Sequence, residues 1–281
     1  VVTWGDPFYG GESLAVRDQL KGAQQIQAND RAFAAILEDE SIVTWGNADH
    51  GGDSSSVQDQ LRGVQKIQAG SFGAFAAILA DGSVVSWGVA ECGGDSSAVG
   101  DQLKGVQQIQ ATDKSFAAIL EDGSVVTWGD ADHGGDSSAV GDQLSGVQQI
   151  QATDKSFAAI LEDGSVVTWG DADHGGDSSA VQDQLKGVQQ IQAARFGAFA
   201  AILADGSVVT WGAANYGGDS SSVQDQLKGV QQIQATDQAF AAILEDGFVV
   251  TWGHAHWGGL ASSTRARLQM HLPKGHQTRF E

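Results

Sequence analysis

The sixteen-residue stretch VVTWGDADHGGDSSAV occurs twice in this chain, at Val125–Val140 and again at Val166–Val181. Its Trp-Gly pair belongs to a longer series, in which consecutive members lie 41 or 42 residues apart. The tryptophans of the series are Trp4, Trp45, Trp87, Trp128, Trp169, Trp211 and Trp252. A constant period near 40 residues indicates an array in which each repeat is one supersecondary unit.

Each repeat is predicted to form β-strands. The segments VQQIQA, FAAIL and VVTWG are too short for helices, and the last two are apolar runs rich in β-branched or aromatic residues. An Asp-Gly pair separates FAAIL from VVTWG, as at Asp122-Gly123, and predicts a tight hairpin because both residue types tolerate positive φ. Glu40 replaces this glycine in the first copy, so a strained or differently shaped turn is expected there. The segment SSAVQDQLKG is either a weak outer strand or a crossing loop.

This pattern predicts an all-β protein with a β-propeller fold. Strands that are apolar on both faces must be covered on both faces. Blades of three to four antiparallel strands, one per repeat of about 41 residues, satisfy that requirement by packing face to face around an axis. An open β-solenoid is the alternative architecture.

The sequence indicates the number of blades less clearly than it indicates the propeller fold. There are seven Trp-Gly segments but six FAAIL segments. The sequence favours seven blades, with six as the alternative, and in a seven-bladed ring the N-terminal VVTWG needs two strands from the tail. We therefore expect a single propeller over residues 1–259 and a divergent basic tail over 260–281 that closes the last blade or extends beyond it. In the tail, Met270 stands where the period predicts glycine.

The order of V-x-x-I-x-A, F-A-A-I-L and x-D-G-S-V-V-T-W-G, followed by Gly-Gly, resembles the regulator of chromosome condensation repeat from Val1 to about Gly259. The compact repeat is also similar to that of the propeller-type bacterial β-lactamase inhibitor protein, a secreted relative. The resemblance implies a propeller, and for the inhibitor type it implies a binding surface made by the loops of one face. Nucleotide exchange on a small GTPase also occurs in the family, where it depends on an inserted wedge. Repeats of 41 or 42 residues leave no room for a wedge, so that activity is the least favoured.

Composition narrows the classes of partner. With 15 basic and 35 acidic residues the net charge is −20, which disfavours nucleic acid and anionic membranes. No apolar run reaches the ~20 residues of a membrane span, so direct membrane insertion is not expected. Cys92 is the single cysteine, so an internal disulfide is excluded. The chain begins without methionine, as expected of a processed end or a fragment boundary.

Comparison of the copies with one another identifies the candidate binding residues. The copies differ mainly in the loop before FAAIL and at the fourth residue after each Trp-Gly pair. Strand alternation sends both positions to the same end of the blades, opposite the Asp-Gly turns. We interpret that end as a protein-binding surface, with random drift at loop tips as the alternative. The candidate residues are Tyr9, His50, Phe72, Cys92, His133, His174, Phe196, Tyr216 and Trp257.

Catalytic and metal-dependent functions are not favoured. Asp130, Asp132 and Asp136, repeated as Asp171, Asp173 and Asp177, resemble a calcium loop. The remaining copies do not keep the first two aspartates, and Asp and Gly are also ordinary turn residues. No nucleophile, base or zinc ligand set is recognisable. The sequence thus predicts a protein-binding propeller that is not an enzyme and uses no metal or cofactor. A lectin-like, small-ligand or calcium-binding propeller is the alternative.

Overall fold

Six antiparallel sheets, one per repeat, form the fold in a computed structural model that describes residues 1–259 and 266–267. In each sheet the strands lie in chain order, and the second strand is hydrogen-bonded to both the first and the third. Sheets 1 to 3 contain β1 (Ala23–Ala28), β2 (Ala32–Leu37) and β3 (Ile42–Gly46); β4 (Val64–Gly70), β5 (Ala74–Leu79) and β6 (Val84–Gly88); and β7 (Val106–Ala111), β8 (Ser115–Leu120) and β9 (Val125–Gly129). Sheets 4 to 6 contain β10 (Val147–Ala152), β11 (Ser156–Leu161) and β12 (Val166–Gly170); β13 (Val188–Ala194), β14 (Ala198–Leu203) and β15 (Val208–Gly212); and β16 (Val230–Ala235), β17 (Ala239–Leu244), β18 (Phe248–Gly253) and β19 (Ala266–Arg267).

The connections between sheets are 3₁₀ turns and loops. A three-residue 3₁₀ helix follows every Trp-Gly pair: Pro7–Tyr9, Ala48–His50, Ala90–Cys92, Ala131–His133, Ala172–His174, Ala214–Tyr216 and Ala255–Trp257. Further 3₁₀ segments cover Ser97–Val99, Ser138–Gln143, Ser179–Gln184 and Gln224–Gln226. The segment equivalent to SSAVQDQLKG is therefore a crossing loop and not a strand. A crossing loop was one of the two structures expected for it.

The repeat tryptophan pairs with the repeat phenylalanine inside each sheet. Phe116 lies opposite Trp128 across two neighbouring strands, and their rings stack with centroids 5.2 Å apart. The same stacked pair occurs in all six sheets. Trp128 Nε1 also donates a hydrogen bond to the carbonyl oxygen of Gly93, in the turn that precedes its sheet, at 3.0 Å. Each sheet is thereby joined to the loop that leads into it.

The core consists of apolar layers between consecutive sheets. Between sheets 1 and 2, the small side chain of Ala34 and the larger one of Ile36 lie in one buried cluster with Ile67 and Phe75. Equivalent layers lie at the four following junctions. Alanines in the middle strand allow the sheets to approach closely, which is why the FAAIL segment is nearly invariant among the copies.

Backbone hydrogen bonds link each sheet to the next at both ends. At the end with the Asp-Gly turns, Val147 N donates to Gly123 O at 2.9 Å, and each junction has an equivalent bond. At the other end, loops of neighbouring sheets are joined by bonds such as Asp113 N to Asp154 O at 2.9 Å. Side chains from sheets 2 to 6 line one cavity there, so the sheets are arranged around a common axis. The predicted β-propeller is confirmed.

The number of strands per sheet and the length of the repeat agree with the prediction from the sequence. The described residues form six sheets, which is the alternative to the seven blades that the sequence favoured. Six sheets are present among the described residues, five with three strands and one with four. Val1–Gly5 is not in a strand, and Trp4 is 83% exposed, unlike the six buried repeat tryptophans. From the tail, Ala266–Arg267 pairs with β18. Met270 and the rest of the proposed closure lie outside the described residues.

Glu40 adopts the conformation that glycine has in the other copies of the turn. Its φ is 62°, and no other described non-glycine residue has a positive φ. The expected backbone strain is therefore present, because a side chain in this region costs about 1–2 kcal/mol. Among the described residues, no helix is long and apolar enough to cross a membrane.

We predict that Trp128→Ala lowers the free energy of unfolding by ~3–5 kcal/mol, since it empties a buried aromatic site and removes a hydrogen bond. Trp4→Ala is the matched control, because the same residue type at the same repeat position is exposed, and its effect should be below ~0.5 kcal/mol. Chemical denaturation of both variants measures the difference. Equal effects would contradict the core assignment.

Gly123→Ala and Gly247→Ala test the contact between sheets. Both glycines have left-handed φ values, 75° and 77°. A Cβ on Gly123 would lie 2.8 Å from the Cα of Gly146, which leads into the next sheet, whereas one on Gly247 meets none of the described residues within 4 Å. Gly123→Ala should therefore destabilise by at least about 1 kcal/mol more than Gly247→Ala. Thermal melts that shift equally would show that the junction tolerates the methyl group.

Candidate functional site

The two sets of variable loops are joined to each other at one end of the propeller. Thr112, between the first and second strands of its sheet, donates a side-chain hydrogen bond to the carbonyl oxygen of His133, which follows the third strand, at 3.1 Å. Asn29 bonds the carbonyl oxygen of His50 in the same way at 2.9 Å, and Thr236 bonds that of Trp257 at 3.1 Å. We call this end, made of the loops between first and second strands and of the 3₁₀ turns after the third strands, the rim. The Asp-Gly turns form the opposite face.

Three of the candidate residues are aromatic and exposed on the rim. Tyr9, Phe72 and Trp257 are 43–46% exposed, although most other aromatic side chains of the described residues are buried or half-buried. The ring of Tyr9 contacts that of Phe8 edge to face, with centroids 5.5 Å apart. The ring contacts of the described residues do not include a pair between Tyr9 and Trp257.

Phe196 and Tyr216 belong to a cluster of ring side chains on the rim next to sheets 5 and 6. Their rings lie 6.1 Å apart, and the ring of Tyr216 lies 6.4 Å from that of His254. His254 in turn lies 5.8 Å from His256. Tyr216, His254 and His256 line an open cleft of ≈ 550 Å³ together with the polar residues Asn215 and Asp219. The sequence identified Phe196 and Tyr216, but not the two histidines, as candidate residues.

The three rim histidines are half-buried and hydrogen-bonded within their own turns. Nδ1 of His133 lies 2.9 Å from Oδ1 of Asp130, and His174 pairs with Asp171 at the same distance. His50 Nδ1 lies 2.9 Å from Asn47, and its Nε2 lies 3.0 Å from Arg31 Nη1. These bonds fix the rings and leave them at most a partial contact surface for a partner.

The DADHGGD segment acts as a turn in the structure. Asp130 pairs with His133, as described, while Oδ1 of Asp136 accepts a hydrogen bond from Ser138 N at 2.9 Å. The two carboxylates therefore bond different parts of the loop. The described residues contain no group of three or more His, Cys, Asp or Glu side chains positioned to hold a metal ion.

Cys92 does not lie on the rim surface. Its side chain is 6% exposed and packs in the apolar layer between sheets 2 and 3. A thiol is small and apolar, so it takes the buried orientation that the larger and more polar residues at this repeat position avoid. The expectation that Cys92 contacts a partner must therefore be corrected. Burial raises the pKa of the thiol.

The structure also reveals a charged centre at the axis that sequence reasoning missed. One residue from each loop between first and second strands reaches it: Asp30, Ser71, Asp113, Asp154, Arg195 and Asp237. Arg195 Nη2 donates to Asp113 Oδ1 at 3.1 Å, across the intervening sheet 4. Asp30 and Asp237 are close enough for their charges to act on the same guanidinium. The sequence did contain one signal for this centre: Arg195 is the single basic residue among the six equivalent loop positions.

Asp154 is the most enclosed member of this axial set. Burial raises the pKa of its carboxyl group, His174 opposes that shift, and the neighbouring Asp113 charge adds to it. Its Oδ2 lies 3.8 Å from His174 Nε2, while Oδ1 is buried without a hydrogen-bond partner among the described residues. Its backbone N–H donates to Arg195 O at 2.7 Å, so the residue contributes to the join between sheets 4 and 5.

Comparison with known proteins finds similar solved structures at low sequence identity. No protein-family model matches the sequence, and no curated protein matches it. The yeast RCC1 protein Prp20, in a structure bound to Kap60, is 15% identical, with 86% of this chain and 72% of that chain covered and a TM-score of 0.49. Prp20p from Saccharomyces cerevisiae in another structure is 16% identical, with 84% and 73% covered and a TM-score of 0.49. The CRINKLY WD40 ectodomain of the Arabidopsis thaliana receptor kinase ACR4 is 16% identical, with 83% and 81% covered and a TM-score of 0.46.

We predict that the Cys92 thiol reacts slowly with a thiol reagent in the native protein. Burial and the raised pKa both reduce the accessible thiolate at neutral pH. Absorbance with a chromogenic disulfide should show less than one tenth of the labelling rate of the same chain in denaturant. Rapid labelling of the folded protein would contradict this prediction and show that the Cys92 thiol is accessible at the surface.

Proposed function

We propose that this protein is a non-catalytic propeller that binds another protein through its rim. The observation that supports this best is the exposure of Tyr9, Phe72 and Trp257 at one end of a molecule whose six sheets each stack their repeat phenylalanine on their repeat tryptophan. Exposed aromatic side chains on a rigid support are frequent anchors of protein interfaces.

Cations accompany two of the rim aromatics. Lys114 Nζ lies 5.7 Å from the centre of the Phe72 ring, and the Arg195 guanidinium lies 5.9 Å from that of Phe196. Aromatic and arginine side chains are the types enriched among residues that dominate binding energy. The opposite face presents acidic turns instead, including Asp122, Asp163 and Asp205, so the two ends would attract different partners.

The rim is also preorganised. Backbone bonds such as Phe72 N to Asp113 O, at 3.0 Å, join the loops of neighbouring sheets, and the side chains of Asn29 and Thr112 hold the adjoining turns. A surface that is already ordered loses less conformational entropy when it binds. Drift at loop tips accounts for variation but not for this combination of order and aromatic exposure.

Binding of a small polar ligand is the second candidate function. The cleft at Tyr216, His254 and His256, at ≈ 550 Å³, has the size of an ordinary ligand site. Aromatic faces next to Asn215 and Asp219 suit a sugar, which offers both apolar C–H groups and hydroxyls. A glycan array probed with the wild type and with Tyr216→Ala tests this candidate, which requires a signal that the variant loses.

We predict that the triple variant Tyr9→Ala, Phe72→Ala and Trp257→Ala loses capture of the partner. Each anchor should contribute ~2 kcal/mol or more, so the combined loss exceeds a hundredfold in affinity. The immobilised protein is exposed to an extract of its source, and captured proteins are identified by mass spectrometry. The relevant proteins are those that the wild type retains and the rim variant does not.

The control variant carries Asp122→Asn, Asp163→Asn and Asp205→Asn on the opposite face. It should retain the same captured proteins, and both variants should melt within a few degrees of the wild type because all six positions are at the surface. Loss of capture by the opposite-face variant, with retention by the rim variant, would contradict the proposal.

A further inference from the structure

Two of the six hairpins at the rim are longer than the others. In sheets 2 and 5 the pairing of the first two strands extends to Gly70 and Ala194, one residue pair beyond the point where it ends in the other four sheets. Each of these two hairpins has a phenylalanine in its loop, Phe72 or Phe196. The two phenylalanines therefore extend the rim at two places that lie three sheets apart.

Asp113, in the shorter hairpin of sheet 3, is bonded to both long hairpins. Its carbonyl oxygen accepts a hydrogen bond from Phe72 N at 3.0 Å, and its carboxylate oxygen Oδ1 accepts one from Arg195 Nη2 at 3.1 Å. Arg195 directly precedes Phe196, so two hydrogen bonds through a single residue connect the two long hairpins. A third bond, from Asp113 N to Asp154 O at 2.9 Å, fixes the same backbone to sheet 4.

The Arg195 guanidinium lies between the axis and the ring cluster on the rim. It is 5.9 Å from the centre of the Phe196 ring, which in turn lies 6.1 Å from the ring of Tyr216. The Asp113 side chain is 11% exposed and that of Arg195 40%, so the ion pair is partly shielded from water and is stronger than a fully exposed pair. A planar guanidinium can bond a carboxylate with its edge and cover a ring with its face. The bond to Asp113 therefore restricts where the Phe196 ring can lie.

The other cation that lies over a rim phenylalanine has no such anchor. Lys114 Nζ is 5.7 Å from the centre of the Phe72 ring, but Lys114 forms no ion pair with the residues that the structure describes. The two pairs thus combine the same types of group, a cation and a phenylalanine. They differ in whether the cation is bonded to a carboxylate at the axis.

We propose that Arg195 is a positioning residue of the rim: its bond to Asp113 fixes Phe196 relative to Phe72, so that both phenylalanines contact the same partner. What is bound rests on the proposed function, whereas the order that Arg195 imposes on the rim is a property of the free protein. Four of the other five hairpins have aspartate at this position, and the fifth has serine. Arg195 is therefore the one axial residue that can bond an axial carboxylate as a cation.

The ring signals of the two tyrosines test the position of Phe196 in the free protein. The chain contains only Tyr9 and Tyr216, and the proton shifts of each ring depend on the ring packed next to it. In Arg195→Ala, we expect the Tyr216 signals to move toward the values found in Phe196→Ala, while the Tyr9 signals stay in place. The matched control Lys114→Ala should leave both tyrosines unchanged. Tyr216 signals that do not move in Arg195→Ala would overturn the proposal.

Hydrogen exchange measures the order of the rim backbone. The amides of Phe72 and Asp154 donate to the hairpins of neighbouring sheets, and in Arg195→Ala they should exchange at least about fivefold faster, because a hydrogen bond between charged groups is lost nearby. The amide of Val147, which bonds the Asp-Gly turn of the preceding sheet at the opposite end, should keep its rate. Equal acceleration at both ends would indicate a general loss of stability and would overturn the proposal.

Asp113→Ala identifies the group through which the arginine acts. Since Arg195 and Asp113 form one pair, the double variant should show the Tyr216 signals and the exchange rates of either single variant, and additive effects would overturn the proposal. Arg195→Gln, which keeps most of the side chain's length without its charge, should behave as Arg195→Ala. Melting curves of all variants establish that each is folded.

Partner binding separates this inference from the proposed function. The affinity for a protein that the wild type retains should fall in Arg195→Ala about as far as in Phe196→Ala, and no further in the double variant, because the arginine acts through the phenylalanine. A rim that loses its order in Arg195→Ala, in a protein that captures no partner, would uphold the role of Arg195 and contradict the proposed function. Capture of a partner by a rim whose order does not depend on Arg195 would overturn this inference and leave the proposed function in place.

Discussion

The contact between a repeat phenylalanine and the glycine of the turn before its sheet is the constraint on which the structure depends. In each of the six sheets, a Cβ on that glycine would lie only 2.6–2.8 Å from the phenylalanine ring. The glycine also has positive φ, and its carbonyl oxygen accepts the hydrogen bond from the repeat tryptophan at 3.0–3.1 Å. The phenylalanine, tryptophan and glycine must therefore remain together, because no other residue fits the glycine position without moving the ring.

This arrangement makes each repeat dependent on its neighbour. The phenylalanine of one sheet is covered on one side by its own tryptophan and on the other by small side chains of the preceding sheet. A single three-stranded sheet would leave both apolar faces in water, and burial is restored only by stacking. The same dependence is visible in the two end sheets, where Ile26 and Ile243 are 42% and 37% exposed and no further sheet among the described residues packs against them.

The division between constant and variable positions follows from the same packing. Substitution in FAAIL or VVTWG would disturb two junctions at once, whereas the side chains of Tyr9, Phe72 and Trp257 at the rim are exposed. Variation could therefore accumulate at the rim and place Phe72 and Trp257 in solvent without loss of the fold. The axial centre shows an additional role for these loops, since Arg195 joins sheet 5 to Asp113 of sheet 3 while its backbone carbonyl bonds sheet 4.

The sequence by itself determined the strands, the Asp-Gly hairpins, the propeller fold and the common end of the variable loops. These features repeat with a fixed period and depend on local rules of strand alternation and turn geometry, as at Asp122-Gly123 and at Glu40. It did not determine the number of sheets, because Trp4 has the same local sequence as Trp128 but, among the described residues, has no partner strand. Nor did it determine the burial of Cys92 or the meeting of Asp113 with Arg195, 82 residues away. The tertiary structure decided these features, because burial and axial contact depend on which distant repeats come together around the ring.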